Sequence, residues 1–309
     1  MAALVENMMY VREKPWHGLG TKVDEAPTSA DALRLAGLDW TVEQKNIQLC
    51  GGAKIQNYKA NVRSSDGQVL GIVSDRYKIV QNKDAFEFTD SIIGGDVRYE
   101  TAGSLNGGRK IWLLAKLPEA EIAGDKTEPY MVFSNTHDGS GAIKVAMTPI
   151  RVVCNNTLNL ALTQAKRIWS TVHTGNLNEK MQDARQTLLY ADNYMAELGK
   201  AFERLNRIKV TDRQVLDYIN CLFPDEEGLS DQQKKNITRM KEDLRMRYFD
   251  APDLQDVDKN GYRWVNAVSD FATHAKPLRE IRNYRENLFN RTMEGNTLID
   301  RAYEMICAA

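Results

Sequence analysis

Three short stretches limit what this chain folds into more than anything else in it. Asp66-Gly67, Asn106-Gly107-Gly108 and Asp138-Gly139-Ser140-Gly141 each sit between two runs of β-forming residues. Asp-Gly and Asn-Gly pairs supply the positive φ angles that tight hairpin turns demand. The runs around them are YKANVRSSDGQVLGIVS (58–74), DVRYETAGSLNGGRKIWLLAKL (96–117) and YMVFSNTHDGSGAIKVAMTPIRVVC (130–154), and DWTVEQKNIQL (39–49) alternates polar with apolar ahead of them. Successive hairpins of this kind predict an antiparallel sheet.

Helices are expected around and after it. TSADALRLAG (28–37) has Thr28 or Ser29 as cap and Gly37 as stop, and NKDAFEFTDSII (82–93) opens on Asn82 as cap. After Cys154 the pattern turns helical, with Asn155 or Asn156 capping TLNLALTQAKRIW. A long amphipathic pattern covers 176–206, and shorter helices are predicted at 211–222, 230–248, 261–274, 278–290 and 296–307. The fold class is therefore α+β: an antiparallel sheet of successive hairpins with flanking helices, then a mostly helical C-terminal region. Residues 1–165 form the sheet-plus-helix region and 166–309 the helical region, with one continuous domain as the alternative.

Composition excludes more than it selects. The 309 residues carry 41 basic and 42 acidic side chains, so no global field points to nucleic acid or to a membrane surface. No apolar run approaches the roughly 20 residues of a membrane span. The first twenty residues hold Glu6 and Glu13 and lack the basic-then-apolar layout of a secretory signal. Cys50, Cys154, Cys221 and Cys307 are far apart, without CxxC spacing, which fits a reducing cytoplasm and signals neither a zinc site nor a disulfide framework. The four histidines are scattered, and DLQDVDKNG (253–261) lacks the spacing of a calcium loop. No metal and no cofactor is expected.

Several segments together resemble one known family. LDWTVEQKNI, GIVSDRYKIVQNKDAFEF, VRYETAGSLNGGRKIWLLAKLP, NTHDGSGAIKVAMTPIRVVCNNTLNLAL and VHTGN are similar to the phage/plasmid-like protein family that carries domain of unknown function 932. The resemblance implies a bacteriophage, prophage or plasmid setting and action inside the bacterial cell. It brings no particular chemistry with it.

Chemistry must then be read from the residues. Cys154 at a strand-to-helix junction is a candidate nucleophile, because a helix N-terminus favours a thiolate. His137 lies at the far end of a strand from it, about 30 Å away at the usual rise, so His173 is the better base. The plainer reading, a small buried cysteine, is preferred. HDGSG (137–141) reads as a hairpin loop, since phosphate-cradling loops open helices rather than strands.

Nucleic acid remains. Between Thr136 and Ser170 stand Lys144, Arg151, Lys166 and Arg167 against Asp138 alone, a local net charge of +3. The sheet region adds Tyr58, Lys59, Arg63, Arg76, Tyr77, Lys78, Arg98, Tyr99, Arg109, Lys110 and Trp112, and a spare amide at Asn155 or Asn156 is suited to a base edge. Cations beside aromatic faces are what single-strand binders use. The leading expectation is a phage- or plasmid-encoded protein that binds or anneals single-stranded DNA in replication or recombination, as a homo-oligomer and without enzymatic activity. Arg151, Lys144, Lys166, Arg167, Arg109 and Lys110 would contact phosphate; Tyr77, Tyr99 and Trp112 would stack. The alternatives are a counter-defence protein that sequesters a host defence factor or a signalling nucleotide, and a hydrolase using Cys154, His173 and His137.

Overall fold

The structure, a computed structural model, describes residues 5–11, 21–25, 27–94, 97–122, 124–151, 156–157, 168–188, 190–276, 278 and 295–308. The chain divides into two compact units. The first comprises Met1–Leu117, Tyr130–Met147 and Arg167–Tyr190, and the second Pro118–Pro129, Thr148–Lys166 and Ala191–Ala309.

The first unit is built on two sheets. Strands β1 (Val5–Val11), β2 (Thr21–Val23), β6 (Arg98–Leu105), β7 (Lys110–Lys116), β9 (Asp125–Thr136) and β10 (Ile143–Arg151) lie in the order β2-β1-β6-β7-β9-β10. Strand β12 (Ile168–Thr171) pairs with the start of β10. The second sheet is antiparallel and holds β3 (Val42–Gln48), β4 (Lys54–Arg63) and β5 (Val69–Ser74) in sequence order. Helices α1 (Ser29–Leu35), α2 (Asn82–Ile93) and α3 (Leu177–Leu188) complete the unit. Met9, Leu38, Leu70, Phe86, Tyr99, Ile111 and Phe133 are central to its apolar core.

The three expected hairpins are present: β4–β5, β6–β7 and β9–β10 are each neighbours. Gly67, Gly107 and Gly139 take φ of +75°, +68° and +77° in their turns, which explains why glycine stands there.

Three features differ from the sequence expectation. Strand β1 sits inside the larger sheet, antiparallel to β6 and parallel to β2. Its residues, VENMMYV, show little β-branching, and their pairing partner lies about a hundred residues away. The helix expected after Cys154 does not hold where the chain is described: Asn156–Thr157 form a short strand, β11, against Arg151 and Ile150, and Ile168–Thr171 form β12. Ile-Trp-Ser-Thr suits a half-buried pleated edge better than a helix end. Residues 158–167 of that expected helix lie outside the described residues. Finally, Asn82 is not the cap of α2. Gln81 holds that position, and its backbone N–H donates to the Asp84 carboxylate at 3.0 Å.

The second unit pairs the short β8 (Ala120–Ile122) with the start of β9 and is otherwise mostly helical. It holds α4 (Tyr190–Arg207), α5 (Asp212–Leu222), α6 (Asp231–Phe249), α7 (Gly261–His274) and α8 (Thr297–Ala308). These match the expected helices within a residue or two, except that helix is described on both sides of Leu189 and the 278–290 prediction lies almost wholly outside the described residues. Helix α7 is buried along 261–269, with Trp264 donating to the Ala302 carbonyl at 3.2 Å. Among the described residues no helix is long and apolar enough to cross a membrane.

Candidate functional site

The turn that ends β9 buries His137 and leaves Ser140 exposed. Asp138 Oδ1 accepts from the Ser140 amide at 2.9 Å and from the Ser140 hydroxyl at 2.6 Å, which closes the turn on itself. His137 is fully buried. Its amide donates to the Arg109 carbonyl, and its own carbonyl accepts from Asn61 Nδ2, both at 2.7 Å. One residue thereby ties the β6–β7 turn to β4. The turn seats on β5 at Gly71, where a Cβ would stand 2.5 Å from Asp138 Cα.

The segment that leads into α2, residues 78–82, runs beside this turn and is held at Lys78, Val80 and Asn82. His173 Nδ1 bonds the Lys78 carbonyl at 2.9 Å, Asn135 Nδ2 donates to the Val80 carbonyl at 3.1 Å, and His137 Nε2 bonds Asn82 Oδ1 at 3.0 Å. The Gln81 side chain, between these positions, bonds both the N–H and the carbonyl of Val42 in β3. Tyr77 donates to the Thr136 carbonyl at 2.5 Å and stacks on His173 at 4.4 Å.

These partners fix the protons. Asn82 Nδ2 donates to the carbonyls of Leu38 and Trp40 at 2.9 and 3.3 Å, so its Oδ1 faces His137 and the His137 proton sits on Nε2. The Lys78 carbonyl only accepts, so the His173 proton sits on Nδ1. His137 Nδ1, His173 Nε2, Asn61 Oδ1 and Asn135 Oδ1 are left as buried acceptors without a protein donor. Burial, and then the charge of His173, push His137 down to about 3. Burial also lowers His173, against the raising effects of its Lys78 hydrogen bond and of Asp138.

A ring held neutral this firmly is a poor general base near neutrality, and the bonds of the cluster clamp β4, the β6–β7 turn and the segment before α2 together. It also makes the fold acid-sensitive. The folded His137 value lies below its unfolded 6.5, so its contribution is complete above the unfolded value and is lost as pH falls through the window toward 3. At about pH 5 the loss from His137 alone is roughly 2 kcal/mol. Urea unfolding at the two ends of that range reads it, and His137→Gln is expected to flatten the dependence. Equal wild-type stability at neutral pH and at about pH 5 would remove this reading of the ring.

Where they are described, the residues expected to bind nucleic acid fall into buried, half-buried and exposed positions. Trp112 is only 7 % exposed, and its Nε1 donates to Thr101 Oγ1 at 3.0 Å. Tyr77 and Tyr99 are also buried, and Tyr99 bonds Asp90 Oδ1 at 2.8 Å. As placed, none of the three offers a face to a base; they stabilise the unit instead. Arg109 is exposed in the β6–β7 turn, whereas Lys110 and Lys144 are half-buried on β7 and β10. Arg151 and Asn156 face each other across β10 and β11, and only their backbones are described. Cys154, Asn155, Lys166 and Arg167 lie outside the described residues, so the thiol of the hydrolase alternative does too. His137 and His173 are brought into one cluster, and its clamp role was invisible in the sequence because its partners are 55 and 95 residues apart.

The outer part of the second sheet is a different surface. From Gln44 to Tyr58 nearly every residue of the β3–β4 ribbon is exposed. Residues 44–60 contain Lys45, Lys54 and Lys59 and no carboxylate, a net charge of +3. Glu43, at the base, pairs with Lys45 at 3.3 Å on an exposed, solvent-screened surface. Lys59 Nζ donates to Asn46 Oδ1. Tyr58 stands 51 % exposed beside them. The signal that identifies this ribbon is its acid-free run with three lysines, which a search for hairpin turns passes over.

These features define an α+β protein with a clamped polar core and a basic, exposed β-ribbon. Residues 69–293 match the family described as Domain of unknown function (DUF932), well over half of the chain, and the chain belongs to that family. No curated protein and no solved structure matches it.

Proposed function

We propose that this is a phage- or plasmid-type protein of the bacterial cytoplasm that binds single-stranded DNA in replication or recombination. The observation that carries the reading is the β3–β4 ribbon: three lysines, no carboxylate within residues 44–60, and solvent on both faces along much of its length. A projecting cationic ribbon suits a flexible polyanion, because each phosphate neutralised releases counterions. Arg109, exposed on the β6–β7 turn, is a further phosphate contact in this reading.

Fluorescence anisotropy of a labelled oligothymidylate across a salt series tests it. Each single-strand phosphate contact contributes about −0.7 to the slope of log affinity against log salt, so three ribbon lysines give about −2. Lys45→Gln, Lys54→Gln and Lys59→Gln combined should remove about that much slope, with the fold intact because Lys45 and Lys54 are exposed and Lys59 is only half-buried. A folded wild-type protein showing no salt-sensitive binding at low ionic strength would sink the proposal.

A further inference from the structure

We infer that Tyr58 and Ile72 form a base-stacking platform on the outer face of the second sheet, through which the protein selects single strands over duplex. The inference rests on the nucleic-acid reading above and assigns its recognition element. Register places the residues: Tyr58 pairs with Ser74 and Ala60 with Ile72, so Tyr58, Ala60 and Ile72 share one face. Lys45 lies opposite Ala60 and joins that face. The alternate positions Asn61 and Val73 point the other way and are buried, which fixes the platform as the outer side. There Tyr58 is 51 % and Ile72 62 % exposed, an unusual outlay of large apolar surface on one small sheet.

The backbone aims Tyr58. Between Asn46 and Gln48 stands one residue of β3, while four residues, Ile55 to Tyr58, stand between their partners Lys59 and Lys54. This irregularity of three extra residues includes Asn57 at φ 64°, a region that asparagine tolerates better than most non-glycine residues. The Asn57 carbonyl accepts from the Asp75 amide at 3.0 Å and so anchors the bulge to the end of β5. Bulges re-aim side chains and recur beside functional sites.

Spacing and charge identify the occupant. Diagonal cross-strand neighbours such as Tyr58 and Ile72 stand about 7 Å apart, close to two van der Waals contacts of about 3.5 Å. A flat ring fits between them, over the small Ala60. Lys45, on the same face, suits its phosphates. A duplex hides the faces of its bases in its own stack, so only an unpaired base gains from this contact.

The test compares a single-stranded oligonucleotide with its duplex at one salt concentration, using wild type, Tyr58→Ala and Tyr58→Phe. Tyr58→Ala should weaken single-strand binding about 10-fold, leave duplex binding unchanged and leave the salt slope unchanged. Tyr58→Phe should restore the affinity, since stacking needs the ring and not the hydroxyl. If Tyr58→Ala binds the single strand as wild type does, or loses equally for both forms, the platform is wrong while the basic ribbon stands. If wild type binds neither form in a salt-sensitive way, the platform falls together with the function it serves.

Discussion

Replacing Asn82 with alanine is expected to cost the fold about 4 kcal/mol, because buried groups stranded without partners cost about 1–3 kcal/mol each. Three are stranded at once: the carbonyls of Leu38 and Trp40 lose their donor, and the Nε2 proton of His137 loses its acceptor. Asn82 is buried at the first turn of α2, so water does not readily replace the amide. Asp84→Ala is the internal comparison. It removes an exposed capping bond to the Gln81 amide, which is worth about 1 kcal/mol. Urea denaturation of both variants separates a hub from a cap. A loss of 1 kcal/mol or less for Asn82→Ala would return it to the capping role that its sequence position suggests.

That contrast shows where sequence reading stops. The turns were legible because their chemistry is local: Asp66-Gly67 and Asn106-Gly107 need no distant partner to specify φ > 0. The helices of the second unit were legible because their caps lie within four residues of each other, as with Ser230 and Gln233 at the start of α6. Asn82 and His137 were seen as a cap and a turn residue because each has a plausible local role, and nothing in the sequence says that they meet. The burial of the aromatics was not legible for a related reason. Period-two alternation tells which residues share a face of a strand but not which face is covered. Tyr99 and Trp112 therefore looked equivalent to Tyr58, although the structure buries the first two and exposes the third. Strand β1 was missed because β-propensity is mostly a property of the neighbours a strand finds, and its neighbour β6 lies far along the chain.

Gly71→Ala is expected to destabilise the first unit by about 3 kcal/mol, at the upper end of overpacking costs. The added Cβ would stand 2.5 Å from Asp138 Cα, 2.7 Å from its carbonyl oxygen and 2.8 Å from its Cβ. The nearest two of these atoms are backbone, so no rotamer change relieves the contact. Either β5 moves, which disturbs its pairing with β4, or the turn lifts. Lifting the turn strains the bonds that His137 makes to Arg109 and Asn61 and opens its ring to water. The variant should therefore lose acid sensitivity along with stability, since a solvated imidazole regains its ordinary pKa and no longer differs between folded and unfolded chains. Gly51→Ala, where nothing lies within 4 Å of the new Cβ, controls for the loss of glycine itself and should stay within about 0.5 kcal/mol of wild type. Chemical denaturation at neutral pH and at about pH 5 measures both effects on one protein. Wild-type stability for Gly71→Ala would mean that the HDGSG turn is not held against β5, and the clamp would have to rest on residues 78–82 alone.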